Sequence, residues 1–174
     1  MNFTPRLTDS GIKGNKYWYS QTNPFYAAGL GLPNCTAYTW GRFWEETPEF
    51  IQKELPTGNG KEWFDSAKQK GFYKTGKEPK LGAVICFGGT EFGHVAIVEE
   101  ISENGDIVTS NSDYITKQIF YTKVLLKKNN YDMGTLRFQG FIYNPNIDKP
   151  VPPKSKKRRH YPFFINSQKR LDNY

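Results

Sequence analysis

The order of helix-like and strand-like segments along the chain predicts an α+β fold, with helices packed on an antiparallel sheet. Segments with helix caps and helical periodicity end near Lys70, whereas short segments rich in β-branched and aromatic residues begin after Pro79. The Asn104-Gly105 turn joins two of the strand segments as a hairpin. With 174 residues, the chain is long enough for one domain with its own core.

Three helices are predicted in the first half of the chain. The first spans 35–45, because Asn34 is a favoured N-cap and apolar residues follow at steps of three and four. The residues of that stripe are Ala37, Trp40 and Trp44. A second, short helix is predicted over TPEFIQKEL, capped by Thr47. The third runs from about Lys61 to Lys70 and is closed by Gly71.

Five short segments in the second half are predicted to be strands. They are LGAVICFGG, GHVAIVEEI, DIVTSNS, KQIFYTKVLL and TLRFQGFIYN. Alternation within GHVAIVEEI places His94, Ala96 and Val98 on one face of its strand, and Val95 and Ile97 on the other.

Composition divides the chain into a body and a tail. Residues 1–147 are predicted to form the domain, and residues 1–33 are an irregular arm rich in Gly, Asn, Thr, Pro and aromatic residues. Residues 148–174 are a Pro-rich linker followed by a basic tail. Residues 149–174 hold eight Lys or Arg and one acid, so the net charge of +7 belongs entirely to the tail.

Several classes of protein are excluded by composition. No run of 18 apolar residues is present, so no membrane-spanning segment is expected. The first twenty residues contain no apolar signal-peptide core, so a protein that works outside the cell would need another route of export or release. Two cysteines do not make a disulfide framework.

Cys35 lies where the first helix is predicted to begin. The helix dipole and unpaired N–H groups at that end favour an anion, so a reactive thiolate is one interpretation. The alternative is a small buried cysteine, which is the commoner fate of a lone thiol. Cys86, inside the strand LGAVICF, is interpreted as a core thiol.

A cysteine nucleophile needs a base, and the chain has two histidines. His160 lies in the basic tail, whereas His94 is the first residue of a predicted strand. Gly93 directly precedes it and has no side chain, which leaves room for another group to approach closely. Asn111 on the next strand is a candidate to accept a hydrogen bond from His94 Nδ1 and direct Nε2 towards Cys35. Asp113 is the alternative third catalytic residue beside Cys35 and His94. Asn111 and Asp113 could each instead cap a turn.

These motifs resemble the CHAP family, the cysteine- and histidine-dependent amidohydrolases and peptidases of bacterial cell walls and phage lysins. The resemblance covers about residues 20–145, and its motifs are NCTAYTWGR, GAVICF, GHVAIVEEI, TSNSDY and FQGFIYNP. It implies a papain-like fold with Cys35 as nucleophile and His94 as base. Many members carry Glu-x-Asn on the strand after the histidine, whereas this chain has Asn111-Ser112-Asp113.

The resemblance also implies the surroundings of the site. The backbone N–H of Cys35 would contribute to an oxyanion hole. Tyr26 and Trp18 of the arm are candidates to contact substrate. Some members bind calcium through acids before the cysteine, but Asp9 is the only acid there. No metal site and no cofactor are therefore expected.

The implied function is hydrolysis of a peptidoglycan amide, by an endopeptidase or an N-acetylmuramoyl-L-alanine amidase. A phage endolysin or a virion-associated lysin is expected, acting at the wall from the phage tail or the host cytoplasm. The alternative is a catalytically silent module that binds the wall or belongs to a phage tail and contacts other tail proteins. The run KSKKRR is a candidate to bind wall teichoic acid, since the neutral body offers no basic face for specific binding of nucleic acid.

Overall fold

The computed structural model describes residues 3–47 and 55–147. Its helices are α1 (Pro24–Ala27), α2 (Cys35–Glu46) and α3 (Trp63–Lys70), with 3-10 turns at Gly60–Glu62 and Lys127–Asn129. Its strands are β1 (Thr75–Gly76), β2 (Val84–Gly88), β3 (His94–Ile101), β4 (Ile107–Asp113), β5 (Gln118–Leu125) and β6 (Arg137–Ile142). The helix predicted over TPEFIQKEL falls largely outside the described residues, as does the tail from 148.

The strands form a six-stranded sheet in the order β1-β6-β2-β3-β4-β5, and every neighbouring pair is antiparallel. The predicted α+β class is confirmed. The hairpin at Asn104-Gly105 also forms, because Ser102 N donates to Asp106 O at 2.9 Å and closes the turn. It joins β3 to β4, the two strands that carry the candidate histidine and its candidate partners.

The two faces of the sheet pack against different parts of the chain. Val95 and Ile97 belong to a core shared with apolar residues of α2 and α3, including Trp40 and Trp63. The other face carries a second core of Ala83, Ile85, Phe87, Ala96, Val98, Ile107, Leu125, Tyr131 and Phe141. The alternation predicted for β3 is therefore confirmed. Within the described residues, no helix has the length and apolar character needed to cross a membrane.

The described part of the arm packs closely on α2. Trp18 is fully buried, its ring is stacked on Tyr38, and its Nε1 donates to the Tyr38 carbonyl at 3.0 Å. Asn23 Nδ2 donates to the Ala37 carbonyl at 3.0 Å, and its Oδ1 caps α1. The arm is irregular, as predicted, apart from the four-residue helix α1.

A buried carboxylate, Glu99, joins the arm, α2 and two strands. It accepts hydrogen bonds from Arg42 Nε and Nη2 at 3.0 Å each, from the Arg6 backbone N–H at 2.8 Å and from Ser110 Oγ at 2.6 Å. Glu99 is 0% and Arg42 2% exposed. Although burial lowers the pKa of Arg42, the neighbouring Glu99 raises it well above its usual range, so the guanidinium stays charged.

Candidate active site

Cys35 is the first residue of α2, as the sequence predicts. Asn34 caps the helix, because its Oδ1 accepts a hydrogen bond from Thr36 N at 3.0 Å. The backbone N–H of Asn34 donates to Ser112 Oγ on β4 at 3.1 Å. This bond attaches the start of the helix to the strand that carries Asn111. The role of Ser112 could not be predicted from the sequence, because a hydroxyl between two polar residues gives no local signal.

The Cys35 thiol is half-buried and is a weak acid in this structure. Burial raises its pKa to about 11, although hydrogen bonds from the Val95 and Thr36 backbone lower it in part. The interpretation of Cys35 as a thiolate, drawn from its place at the helix start, is therefore wrong for the resting protein. Desolvation of the charged sulfur outweighs the donors and the dipole at the helix end.

His94 is the first residue of β3, and 7% of it is exposed. Its Nε2 lies 3.1 Å from Asn111 Oδ1, so the predicted pairing with Asn111 forms. The nitrogen is the opposite of the one predicted, however. The β3–β4 ladder ends at the Ile97–Ser110 pair, so His94 and Asn111 lie beyond it and are not a directly opposed pair. The ring reaches Asn111 through Nε2, the nitrogen farther from the backbone.

The side chain of Asn111 is held in one orientation. Its Nδ2 donates to the Thr109 carbonyl at 3.1 Å and to Thr109 Oγ1 at 3.0 Å, which leaves Oδ1 to face His94. An acceptor at this position fixes the proton of a neutral imidazole on Nε2. The lone pair is then on Nδ1. Burial lowers the pKa of His94, although Asn111 and Asp113 act in the opposite direction.

Asp113, the alternative third member, makes a different contact. Its Oδ1 accepts a hydrogen bond from Ile115 N at 2.8 Å, which is the turn-capping role left open for it. Its charge nevertheless acts on the site, because it raises the pKa values of both Cys35 and His94. Asp113 is thus a nearby charge, and Asn111 is the residue that accepts the hydrogen bond from His94.

Gly93 shapes the approach to His94. Its φ of +66° is in the left-handed region that favours glycine, and a Cβ there would collide with Lys61 N and Phe87 O. The absence of a side chain lets Lys61 N donate to the Phe92 carbonyl at 3.0 Å. The close approach predicted for this glycine is confirmed, and its partner is the 3-10 turn before α3.

The two residues predicted to contact substrate have different positions. Trp18 is 0% exposed, so that prediction is wrong, because its ring is part of the core beneath the arm. Tyr26 is 36% exposed, and its role stays a prediction. Cys86 is fully buried in the sheet core, as predicted, and burial raises the pKa of its thiol.

Across residues 3–47 and 55–147, no cluster of three or more His, Cys, Asp or Glu side chains is placed to hold a metal ion. The chemistry available at this site is that of a thiol, a neutral imidazole, an amide that orients it and backbone N–H donors at a helix start.

Comparison with known proteins shows similarity to parts of longer bacterial proteins. A probable autolysin LDP of Staphylococcus aureus is 32% identical over 101 residues, which are 57% of this chain and 34% of that protein. A putative hydrolase of Streptococcus mutans is 36% identical over 61 residues, 35% of this chain and 28% of that protein. This chain thus spans about a third of the length of these relatives.

A solved structure shows a similar fold. The crystal structure of an N-acetylmuramoyl-L-alanine amidase from Staphylococcus aureus aligns with a TM-score of 0.52 at 22% identity, covering 64% of this chain and 31% of the other. That likeness is consistent with the papain-like fold expected from the motifs. The CHAP domain family model matches residues 25–113, which include Cys35, His94 and Asn111. Because this match covers slightly more than half of the chain, the protein belongs to the CHAP domain family.

Proposed function

We propose that this chain hydrolyses an amide bond of bacterial peptidoglycan, with Cys35 as nucleophile, His94 as base and Asn111 as the residue that orients the base. The observation that supports it most is the 3.1 Å contact between His94 Nε2 and Asn111 Oδ1. The bond from Asn34 N to Ser112 Oγ supports it further, because it holds the Cys35 end of α2 on the same strand. Relatives named autolysin and amidase support the substrate class.

The proposed reaction begins from a thiol and a neutral imidazole. As Cys35 Sγ attacks the amide carbonyl, His94 Nδ1 takes its proton, and the resulting imidazolium keeps its Nε2–H bond to Asn111. The Cys35 backbone N–H stabilises the oxyanion of the tetrahedral intermediate. His94 then gives its proton to the leaving amine. Water, deprotonated by His94, hydrolyses the thioester and restores the thiol.

The raised pKa of Cys35 predicts how its alkylation depends on pH. The thiolate is the species that iodoacetamide modifies, so the rate should rise about tenfold per pH unit from 7 to 9. A pKa of about 11 places the plateau above that range. The rate is measured by mass spectrometry of the peptide that contains Cys35, with buried Cys86 as the internal control. A rate already constant below pH 7 would show a preformed thiolate and contradict this prediction.

The contacts of the candidate triad predict an order of effects for three alanine variants. His94→Ala should remove nearly all activity on wall fragments, since base and nucleophile act as a unit. Asn111→Ala should lower kcat by about 10- to 100-fold, because the imidazole loses its orienting partner. Asp113→Ala should cost less than tenfold, because its carboxylate caps a turn. If Asp113→Ala lowered kcat more than Asn111→Ala, the assignment of the third member would be wrong.

Two amide bonds are candidates for cleavage, the one between the lactyl group and L-Ala and one within the peptide or cross-bridge. Purified peptidoglycan digested with the protein and analysed by mass spectrometry separates them, since each cut adds one water and creates a different new amine. Wall binding without any new terminus would support the alternative of a catalytically silent wall-binding or phage tail module.

We also propose that the protein is a phage lysin, carried on the tail or released from the host cytoplasm, and that residues 149–174 bind wall teichoic acid. The eight basic residues of that segment support the binding of teichoic acid, which is a polyanion. A chain ending at Ile147 should cleave soluble fragments at the full rate but lyse intact walls more slowly and with less dependence on salt. Rates measured across a salt series test this.

The competing expectation is that Tyr161, Phe163, Phe164 and Ile165 pack on the domain. The shortened chain would then melt at a clearly lower temperature, and cleavage of soluble fragments would fall with it. Thermal melts of both chains decide between the two.

A further inference from the structure

Tyr121 on β5 is a polar side chain beside the candidate triad to which neither the sequence motifs nor the mechanism above gives a role. It pairs directly with Asn111 in the β4–β5 ladder. Residues directly opposite in an antiparallel pair project from the same face, with Cβ atoms about 5 Å apart. The phenol ring is therefore a direct neighbour of the residue that holds His94.

The adjacent residues confirm which way Tyr121 projects. Phe120 projects from the opposite face of β5, where its ring lies 6.0 Å from that of Tyr38 on α2. Tyr121 alternates to the face of Asn111 and is half-buried there. No hydrogen bond joins its hydroxyl to another residue in the ranges 3–47 and 55–147.

The electrostatic surroundings keep the Tyr121 hydroxyl a hydrogen-bond donor. Burial, and after it the charges of Asp113 and of an ionised Cys35, raise the pKa of Tyr121 to about 12. A phenol that titrates so high stays protonated at neutral pH. The contribution of Cys35 places the thiol and the phenol within electrostatic range of each other.

Other polar side chains at this end of the sheet are already engaged. Asn111 Nδ2 is bound to Thr109, and Ser112 Oγ donates to the Gln118 carbonyl at 3.1 Å. The side chain of Asn34 is held at the helix start, where its Oδ1 accepts from both Thr36 N and Thr36 Oγ1. Tyr121 is the neighbour of Asn111 whose hydroxyl makes no hydrogen bond to the described residues.

We propose that the Tyr121 hydroxyl donates a hydrogen bond to the scissile carbonyl oxygen as Cys35 attacks, as the second oxyanion donor beside the Cys35 backbone N–H. The inference rests on the proposed acyl transfer. In the step concerned, sulfur bonds to the carbonyl carbon, the C=O π pair moves to oxygen, and His94 Nδ1 receives the thiol proton. The phenol keeps its own proton and stabilises the new charge through it.

The test compares Tyr121→Phe with wild type on soluble wall-peptide fragments. Removal of one oxyanion donor should lower kcat by about 10²-fold and leave KM within about twofold, because the bond strengthens only as charge develops. The alkylation rate of Cys35 by iodoacetamide should not change, because that reaction forms no oxyanion. Tyr114→Phe is the matched control, since Tyr114 is 63% exposed in the turn that joins β4 to β5.

A second measurement uses the inhibitor acetyl-alanine aldehyde. The S–H of Cys35 adds across its C=O bond to give a hemithioacetal, and no group leaves. Tyr121→Phe should weaken this inhibitor about tenfold or more. The proposal is overturned if Tyr121→Phe leaves both kcat and aldehyde affinity within twofold of wild type, or if its loss of activity is confined to KM. It is also overturned if Tyr114→Phe loses as much activity, or if the alkylation of Cys35 slows as much as kcat falls. Weakened aldehyde binding in a protein that cleaves no wall amide would uphold the donor and reject the proposed function.

Discussion

Cys35→Ser is expected to reduce amide cleavage in purified cell walls by about 10³-fold or more. The reason is chemical, because a serine hydroxyl is a far weaker acid than a thiol and His94 is arranged to take a thiol proton. The substitution changes one atom at a half-buried position, so the fold should persist. Release of new amino groups from walls measures the loss, and a thermal melt checks the fold.

Cys86→Ser is the matched control for this result. Cys86 lies in the sheet core with 0% exposure, away from any substrate, so its replacement should retain substantial activity. A hydroxyl in that apolar site costs about 1–3 kcal/mol of stability if it finds no partner. Activity that disappears with Cys86 and survives in Cys35→Ser would reverse the assignment of the two thiols.

Glu99→Gln is expected to lower the free energy of unfolding by about 3 kcal/mol. The Glu99 carboxylate accepts four hydrogen bonds, and two of them come from the buried Arg42 guanidinium. A neutral amide replaces one acceptor oxygen with a donor and removes the charge opposite Arg42, which typically costs 3–5 kcal/mol. Arg42 also pairs with Glu45 and Glu46, which supports the lower end of that range.

Glu100→Gln makes the same chemical change one residue along β3, at an exposed position. It should alter stability by about 0.5 kcal/mol or less. Urea unfolding of the two variants and wild type gives the comparison. A cost for Glu99→Gln below about 1 kcal/mol, or an equal cost for both variants, would show that the buried network does not hold α2 to the sheet.

Local signals in the sequence were sufficient for most of the fold. Asn34 begins α2 through its side-chain cap and Gly71 ends α3 through its left-handed backbone, so both boundaries fall where predicted. The Asn104-Gly105 turn fixed the pairing of β3 with β4, and that pairing brought Asn111 within reach of His94.

Features that depend on packing could not be derived in this way. Trp18 and Tyr26 look alike as aromatic residues of the arm, and their burial depends on the position of α2. The choice of Nε2 on His94 depends on how His94 and Asn111 sit beyond the end of the β3–β4 ladder, which the hydrophobic pattern does not specify. The weak acidity of Cys35 arises from the desolvation around it, which outweighs the local effect of the helix start.

The proposed reaction depends most directly on Cys35 as the group that attacks the wall amide. Native protein is treated with iodoacetamide for increasing times, and each sample is assayed on purified peptidoglycan and mapped by peptide mass spectrometry. We predict that residual cleavage falls in proportion to the fraction of Cys35 modified, while Cys86 stays unmodified in the core. Full modification of Cys35 with wall cleavage unchanged would contradict the account.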